Sequence, residues 1–338
     1  MLYGGMAFVL TTRRRHEIQQ NNAGTKDQAS FFGSQLILFN SRKKHGLLYS
    51  VATAAGLFCI PGILSAMASE TDIQLLIQST APLPFVTLMI AVGMYVLNDL
   101  VDADIDRVNS KNRPIPSGLV SKKQAWIFII LTNGVAVAMG MITSNPVSTI
   151  LIVPMMLIGI LYSLPKNIAL MNRFLLKNIA IALFYALCGM LGFTSSYGMA
   201  LVIDNPILAV HVMTTSAIMI FVGSTINDLG DIKGDKSSGR RTIPIVLGGK
   251  NTVRMLIILL ATMPIMSWLL YMTPGEQGNI STMITSIAVT VVSTLAILRM
   301  TKINKVFEDM KLMREQHKKW FPLYMVLQLG MVIGSFVP

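Results

Sequence analysis

Apolar runs long enough to cross a bilayer as helices recur along the whole chain, at 46–67, 82–98, 124–143, 146–163, 175–194, 208–226, 253–272, 280–299 and 320–337. Each meets the length that ~30 Å of hydrocarbon demands of a helix rising about 1.5 Å per residue. The polar stretches between them alternate in kind. The N-terminal arm and the loops after the second, fourth, sixth and eighth runs, counted with the run ends that border them, hold all 28 Lys and Arg. The segments near 68–81, 195–207 and 273–279 hold none and carry Glu70, Asp72, Asp204 and Glu276 instead. Basic residues stay on the cytoplasmic side of a membrane protein. The pattern therefore predicts an all-α polytopic protein of nine transmembrane helices, with a cytoplasmic arm over 1–45 and one helical domain over 46–338. Its N-terminus is expected inside the cell membrane and its C-terminus on the opposite side.

Composition narrows the class. A hydrophobic fraction of 53%, a charged fraction of 13% and a mean hydropathy of +0.60 exclude an ordinary soluble domain. The net charge of +12 follows from membrane topology and forms no aromatic-laced basic patch, so no nucleic-acid partner is expected. Cys59 and Cys188 lie in apolar runs and read as small buried hydrophobes. His16, His45, His211 and His317 have no metal-ligand spacing and are assigned no role. A short apolar run precedes Arg13–Arg15, reversing the order of a signal peptide, which predicts a cytoplasmic extension.

Acid collects where the second run ends. In NDLVDADID the spacing NDxxDxxxD puts Asn98, Asp99, Asp102 and Asp106 on one helical face and turns Asp104 elsewhere. The spacing recurs at the end of the sixth run in Asn227, Asp228, Asp231 and Asp235, each aspartate 129 positions after its counterpart. Basic residues and a proline-containing turn follow both clusters, NRPIPSG after the first and GRRTIPIVLG after the second. An internal duplication explains the register; a plain solvated helix end, the alternative for either cluster alone, does not.

Six carboxylates converging near an interface repel one another and lose hydration unless a cation joins them. Carboxylate and amide oxygens without His or Cys favour a hard ion. Mg²⁺ takes one or two carboxylates and completes its shell with phosphate oxygens. Two opposed clusters suit a diphosphate clamped through Mg²⁺. Lys111, Arg113, Lys166, Lys177, Arg240 and Arg241 lie on the same side and can meet phosphate, although topology alone puts cations there. Tyr162 and Ser163 end the fourth run in LYSLPK, polar at membrane depth. Asn178 can cap a helix, bridge two or bind ligand.

Together these residues resemble the UbiA superfamily of intramembrane prenyltransferases, through Asn98 to Asp106 with NRPIPSG, Asp231 and Asp235 with GRRTIPIVLG, and the tyrosine and serine ahead of Lys166. The resemblance implies nine helices around a central cavity in which a polyprenyl diphosphate is ionised with Mg²⁺. It makes Asn98, Asp102, Asp231 and Asp235 the principal metal ligands, supported by Asp99, Asp106 and Asp228. It puts Tyr162, Ser163 and Lys166 on the diphosphate or around the prenyl cation. Among family members the loops look most like those that make digeranylgeranylglyceryl phosphate, so a geranylgeranyl donor and a phosphorylated lipid acceptor are expected. An aromatic acceptor, as in quinone synthesis, is the alternative. The lead-in SRKKHGLL lacks the Arg-Pro many members carry there. A transporter, the rival from another class, predicts acids at mid-membrane and broken helices.

Overall fold

The structure is a computed structural model that describes residues 29–45, 78, 81–104, 113–143, 146–164, 169–204, 206–237, 239–306 and 309–336. The described residues form helices and turns, without a strand. In chain order the helices are α1 (Phe31–His45), α2 (Leu83–Val101), α3 (Lys122–Ile142), α4 (Pro146–Ser163), α5 (Leu176–Asp204), α6 (Pro206–Ser237), α7 (Ile243–Leu247), α8 (Gly249–Tyr271), α9 (Ile280–Val306), α10 (Met310–Lys318) and α11 (Trp320–Phe336). Eight expected spans fall on α2 to α6, α8, α9 and α11. The first, 46–67, lies outside the described residues.

Packing follows chain order within each half, with α2 against α3 and α4, α5 against α6, α8 against α9, and α9 against α11. The lipid-facing and core-facing sides separate clearly. Along α3, Ala125, Phe128, Ile129 and Ala136 are buried while Ile130, Leu131 and Val135 are exposed, which is what a helix between protein and hydrocarbon requires. α2 is different: most of its length is buried, so the first acidic motif hangs from a central helix.

Two boundaries depart from the sequence reading. α5 runs to Asp204, through most of the segment expected as a loop, because nothing in it breaks a helix before Pro206. α6 runs to Ser237, well past the apolar run, so the whole second motif is helical. Gly239, at φ 70°, then reverses the chain, and the Arg240 N–H donates to the Asp235 carbonyl at 3.0 Å. That left-handed turn suits glycine and aims Arg240 back over the helix it leaves. At the other motif a capping box starts α3: the Gln124 N–H donates to Ser121 Oγ at 3.2 Å, and the Ser121 N–H to Gln124 Oε1 at 2.9 Å.

Candidate active site

Both motifs sit at the same end of the bundle, and each is neutralised by a cation carried on another element. In the first, Asp99 accepts from Arg42 Nε at 2.6 Å and from a second nitrogen of the same guanidinium, a bidentate pair; Arg113 adds a bond at 2.8 Å. In the second, Asp228 pairs with Lys177 Nζ and accepts from Asn178 Nδ2 at 3.2 Å. The two arrangements correspond. Arg42 belongs to the helix ahead of the first expected span and Lys177 to the start of α5, and each reaches the aspartate of its half's Asn-Asp pair. Both carboxylates are almost fully buried, with side-chain exposures of 3% and 1%, so the pairing is required: an ionised carboxylate there without a partner costs several kcal/mol.

One cation joins the halves. Arg240 donates to Asp102 Oδ2 at 2.6 Å and lies 3.7 Å from Asp235 Oδ1. Burial works against its charge, but Asp102 and Asp235 outweigh that and hold the guanidinium above its ordinary value. Burial likewise pushes the Asp235 carboxyl up, with Lys177 and Arg240 pulling the other way.

The remaining expected residues fall as follows. Asn98 and Asp231 are half-buried on the same helical faces as their neighbours, and Asn227 donates to Asp231 at 3.4 Å. Asp104 is turned away as expected, its side chain 60% exposed and 3.5 Å from Lys122. Asn178 bridges helices: besides Asp228 it donates to Ser224 Oγ at 2.9 Å and Thr225 Oγ1 at 3.1 Å. Ser163 is fully buried beside Tyr162. Arg241 is exposed and makes no ion pair with either motif among the described residues. Asp106, Lys111 and Lys166 lie outside the described residues.

Beneath the acids opens a cavity of about 270 Å³. Its polar mouth is Lys177, Asn227 and Asp228, and deeper in it is lined by Tyr95, Tyr162, Tyr185, Trp320 and Tyr324 with Ile181 and Ile220. The Tyr95 and Tyr185 hydroxyls satisfy each other at 3.1 Å, leaving aromatic rings as the wall. Charge at the mouth and apolar aromatic surface below suit a ligand with an anionic head and a hydrocarbon tail.

Among the described residues no three His, Cys, Asp or Glu converge tightly enough to hold an ion unaided. Mg²⁺ takes few carboxylates and completes its shell with water and phosphate. Asp102 Oδ1 is buried without a hydrogen-bond donor among the described residues, and Asp102 and Asp235 meet at one guanidinium. An all-oxygen pair with an unsatisfied acceptor between the halves is compatible with a hard cation.

Sequence reasoning missed Arg42, Tyr95, Tyr185, His317 and Trp320. Arg42 sits in a basic lead-in that topology already explained. Its signal was the comparable place of Lys177 at the start of the fifth span.

Residues 55–314 match the UbiA prenyltransferase family, and the chain belongs to it. Among individual relatives, the digeranylgeranylglyceryl phosphate synthase of Methanosphaera stadtmanae is 31% identical over 175 residues, covering 52% of this chain and 60% of the relative. The chain thus aligns with less than two thirds of that relative's length. The fold is also that of solved structures: a digeranylgeranylglyceryl phosphate synthase superposes with a TM-score of 0.60 at 20% identity, covering 88% of this chain and 99% of the other. A UbiA homologue from Archaeoglobus fulgidus, bound to GPP and Mg²⁺, gives 0.58 at 15% identity, covering 89% and 99%.

Proposed function

We propose that the protein transfers a polyprenyl group, geranylgeranyl in the first instance, from its diphosphate to a membrane-associated acceptor, geranylgeranylglyceryl phosphate in ether-lipid synthesis. The observation that carries this reading is the convergence of Asp102 and Asp235 on Arg240 near the mouth of a cavity walled by aromatic rings. The family and the similarity to digeranylgeranylglyceryl phosphate synthases support it. The acids lie at helix ends on one side, which suits an enzyme better than a transporter with a mid-membrane site.

Asn98, Asp102, Asp231 and Asp235 would hold Mg²⁺, with Asp99, Asp106 and Asp228 behind them. Bound there, the ion neutralises diphosphate and makes it a better leaving group. The chain's own residues do the rest. Arg42 and Arg113 fix Asp99, while Lys177 and Asn178 fix Asp228, so both motifs are held rigid before substrate arrives. Arg240, Lys177, Arg113, Lys111 and Lys166 offer positive charge to the diphosphate, and Arg241 adds to the field from the surface. Asn178 braces the Lys177 side of that mouth. Tyr162 and Tyr95 present ring faces to the allylic cation as charge develops, and their surroundings exclude water that would quench it. Ser163 supports the Tyr162 turn. The functional unit is a single nine-helix domain from residue 46, integral to the cell membrane. Its active-site loops and N-terminal arm are cytoplasmic and its C-terminus lies on the other side.

The test incubates purified protein in lipid nanodiscs with radiolabelled geranylgeranyl diphosphate and Mg²⁺, offering geranylgeranylglyceryl phosphate or 4-hydroxybenzoate. Labelled ether lipid is the expected product. Label on the aromatic acid alone would move the protein to quinone synthesis, and transfer to neither would overturn the reading.

A further inference from the structure

His317 stands on α10, a helix of the loop between the last two spans, where sequence analysis assigned it nothing. Its position is fixed by close packing. Gly223 faces Trp320 so tightly that a Cβ there would lie 2.6 Å from Trp320 Cδ1, and Trp320 Nε1 donates to the Met219 carbonyl at 2.9 Å. Four residues before His317 the two elements touch again, at ordinary van der Waals distance, Met313 Cβ lying 3.5 Å from where a Gly230 Cβ would be. Going forward from Met313 to Trp320 therefore matches going back from Gly230 to Gly223. The α10–α11 corner runs antiparallel along α6, and His317 lines the cavity together with Asn227 and Asp228 of that helix. From α9, Arg299 Nε donates to Gln316 Oε1 at 3.2 Å, fixing α10 from its other side.

His317, near the end of α10, and Trp320 and Tyr324, on α11, all line the cavity. This side differs from that of α5. Lys177, from α5, lines the cavity with its partner Asp228, and Arg240 and Arg113 pair with Asp102 and Asp99 outside the lining, whereas α10 and α11 contribute His317, Trp320 and Tyr324. The Trp320 N–H is already committed to a backbone carbonyl. His317 is half-buried, and among the described residues no hydrogen bond engages its ring. Lys318 and Lys319 follow it, both exposed.

We propose that the α10–α11 wall is the acceptor side of the cavity, and that the His317 imidazole accepts a hydrogen bond from the acceptor's nucleophilic hydroxyl. This deepens the prenyl-transfer reading and rests on it. A wall with one hydrogen-bonding ring among aromatic surfaces suits an alcohol on a lipid; the side that carries Lys177 suits the diphosphate. In the transfer, the acceptor oxygen bonds to C1 of the prenyl group as the bond from C1 to diphosphate breaks. The diphosphate leaves with that electron pair, and the hydroxyl proton passes to it. His317 orients the oxygen towards C1 and thereby selects acceptors by where their hydroxyl lies below the head group.

The test is steady-state kinetics in nanodiscs on wild type, His317→Ala and His317→Gln, varying geranylgeranylglyceryl phosphate and geranylgeranyl diphosphate separately, with donor binding measured without acceptor. In His317→Ala the acceptor KM rises about tenfold, the size of one lost hydrogen bond, while donor KM and donor affinity move less than about twofold. His317→Gln, which keeps an acceptor atom, recovers most of the change. Equal shifts in both KM values, or no shift in either substrate, would overturn the assignment. A wild type that transfers to neither acceptor would sink prenyl transfer itself; an active wild type with an unaltered His317→Ala sinks only the role of His317.

Discussion

Arg240 donates to Asp102 across 138 positions of sequence, at 2.6 Å, and the same guanidinium lies 3.7 Å from Asp235. The cation that follows the second motif thus neutralises the first. Its arrangement makes the two acidic clusters one electrostatic unit, whose charge is balanced only when both halves of the chain are in place.

Replacing Asp102 or Asp235 by Asn is expected to abolish transfer, by at least about 100-fold for the loss of several kcal/mol of leaving-group stabilisation. Initial rates with labelled donor measure this. Addition of EDTA to wild type should produce the same loss and renewed Mg²⁺ should reverse it. Transfer at the wild-type rate in either variant would remove that aspartate from the metal set.

Arg240→Ala leaves two buried carboxylates facing each other. Because the arginine side chain keeps 21% exposure, the penalty is below that of a fully buried pair, about 1–2 kcal/mol. Thermal unfolding in detergent should show a lower midpoint, and Mg²⁺ should raise that midpoint more in Arg240→Ala than in wild type. An equal response to Mg²⁺ in both would separate Asp102 and Asp235 from metal binding.

Lys177→Met strands Asp228, a carboxylate with 1% side-chain exposure, and should destabilise by about 3–5 kcal/mol. Adding Asp228→Asn removes the stranded charge and should restore most of the stability without restoring transfer. A double-mutant cycle reads the coupling; strict additivity would show that the ion pair contributes nothing.

Gly223→Ala drives a methyl group into Trp320, with an expected loss of about 1–3 kcal/mol. Trp320→Phe in the same background should return part of it by freeing the space. Unfolding midpoints decide, and an unaffected Gly223→Ala would mean that α11 shifts freely along α6.

Much of this was legible in the sequence. Apolar runs of span length marked most of the long helices, and the NDxxDxxxD spacing correctly separated buried Asp99 and Asp102 from exposed Asp104. Local rules suffice there, because periodicity is a property of a few neighbouring residues. Arg42 was hidden by its own neighbourhood, where Lys43 and Lys44 made it one more topology signal. His317 and Trp320 had no local signature, since their meaning depends on how a loop helix lies against Gly223 and Gly230. Likewise the Tyr95–Tyr185 and Arg240–Asp102 contacts join distant segments, and no spacing within either segment announces the partner.

The crossing of Arg240 to the first motif also bears on how such a chain could arise. A lone half containing one motif would hold Asp102, at 5% exposure, without the cation that balances it. A single-copy ancestor with this geometry could satisfy that carboxylate only by borrowing an arginine from a second molecule. Duplication and fusion would then have turned a contact between two chains into one within a single chain, securing by covalent linkage a pairing that had depended on encounter.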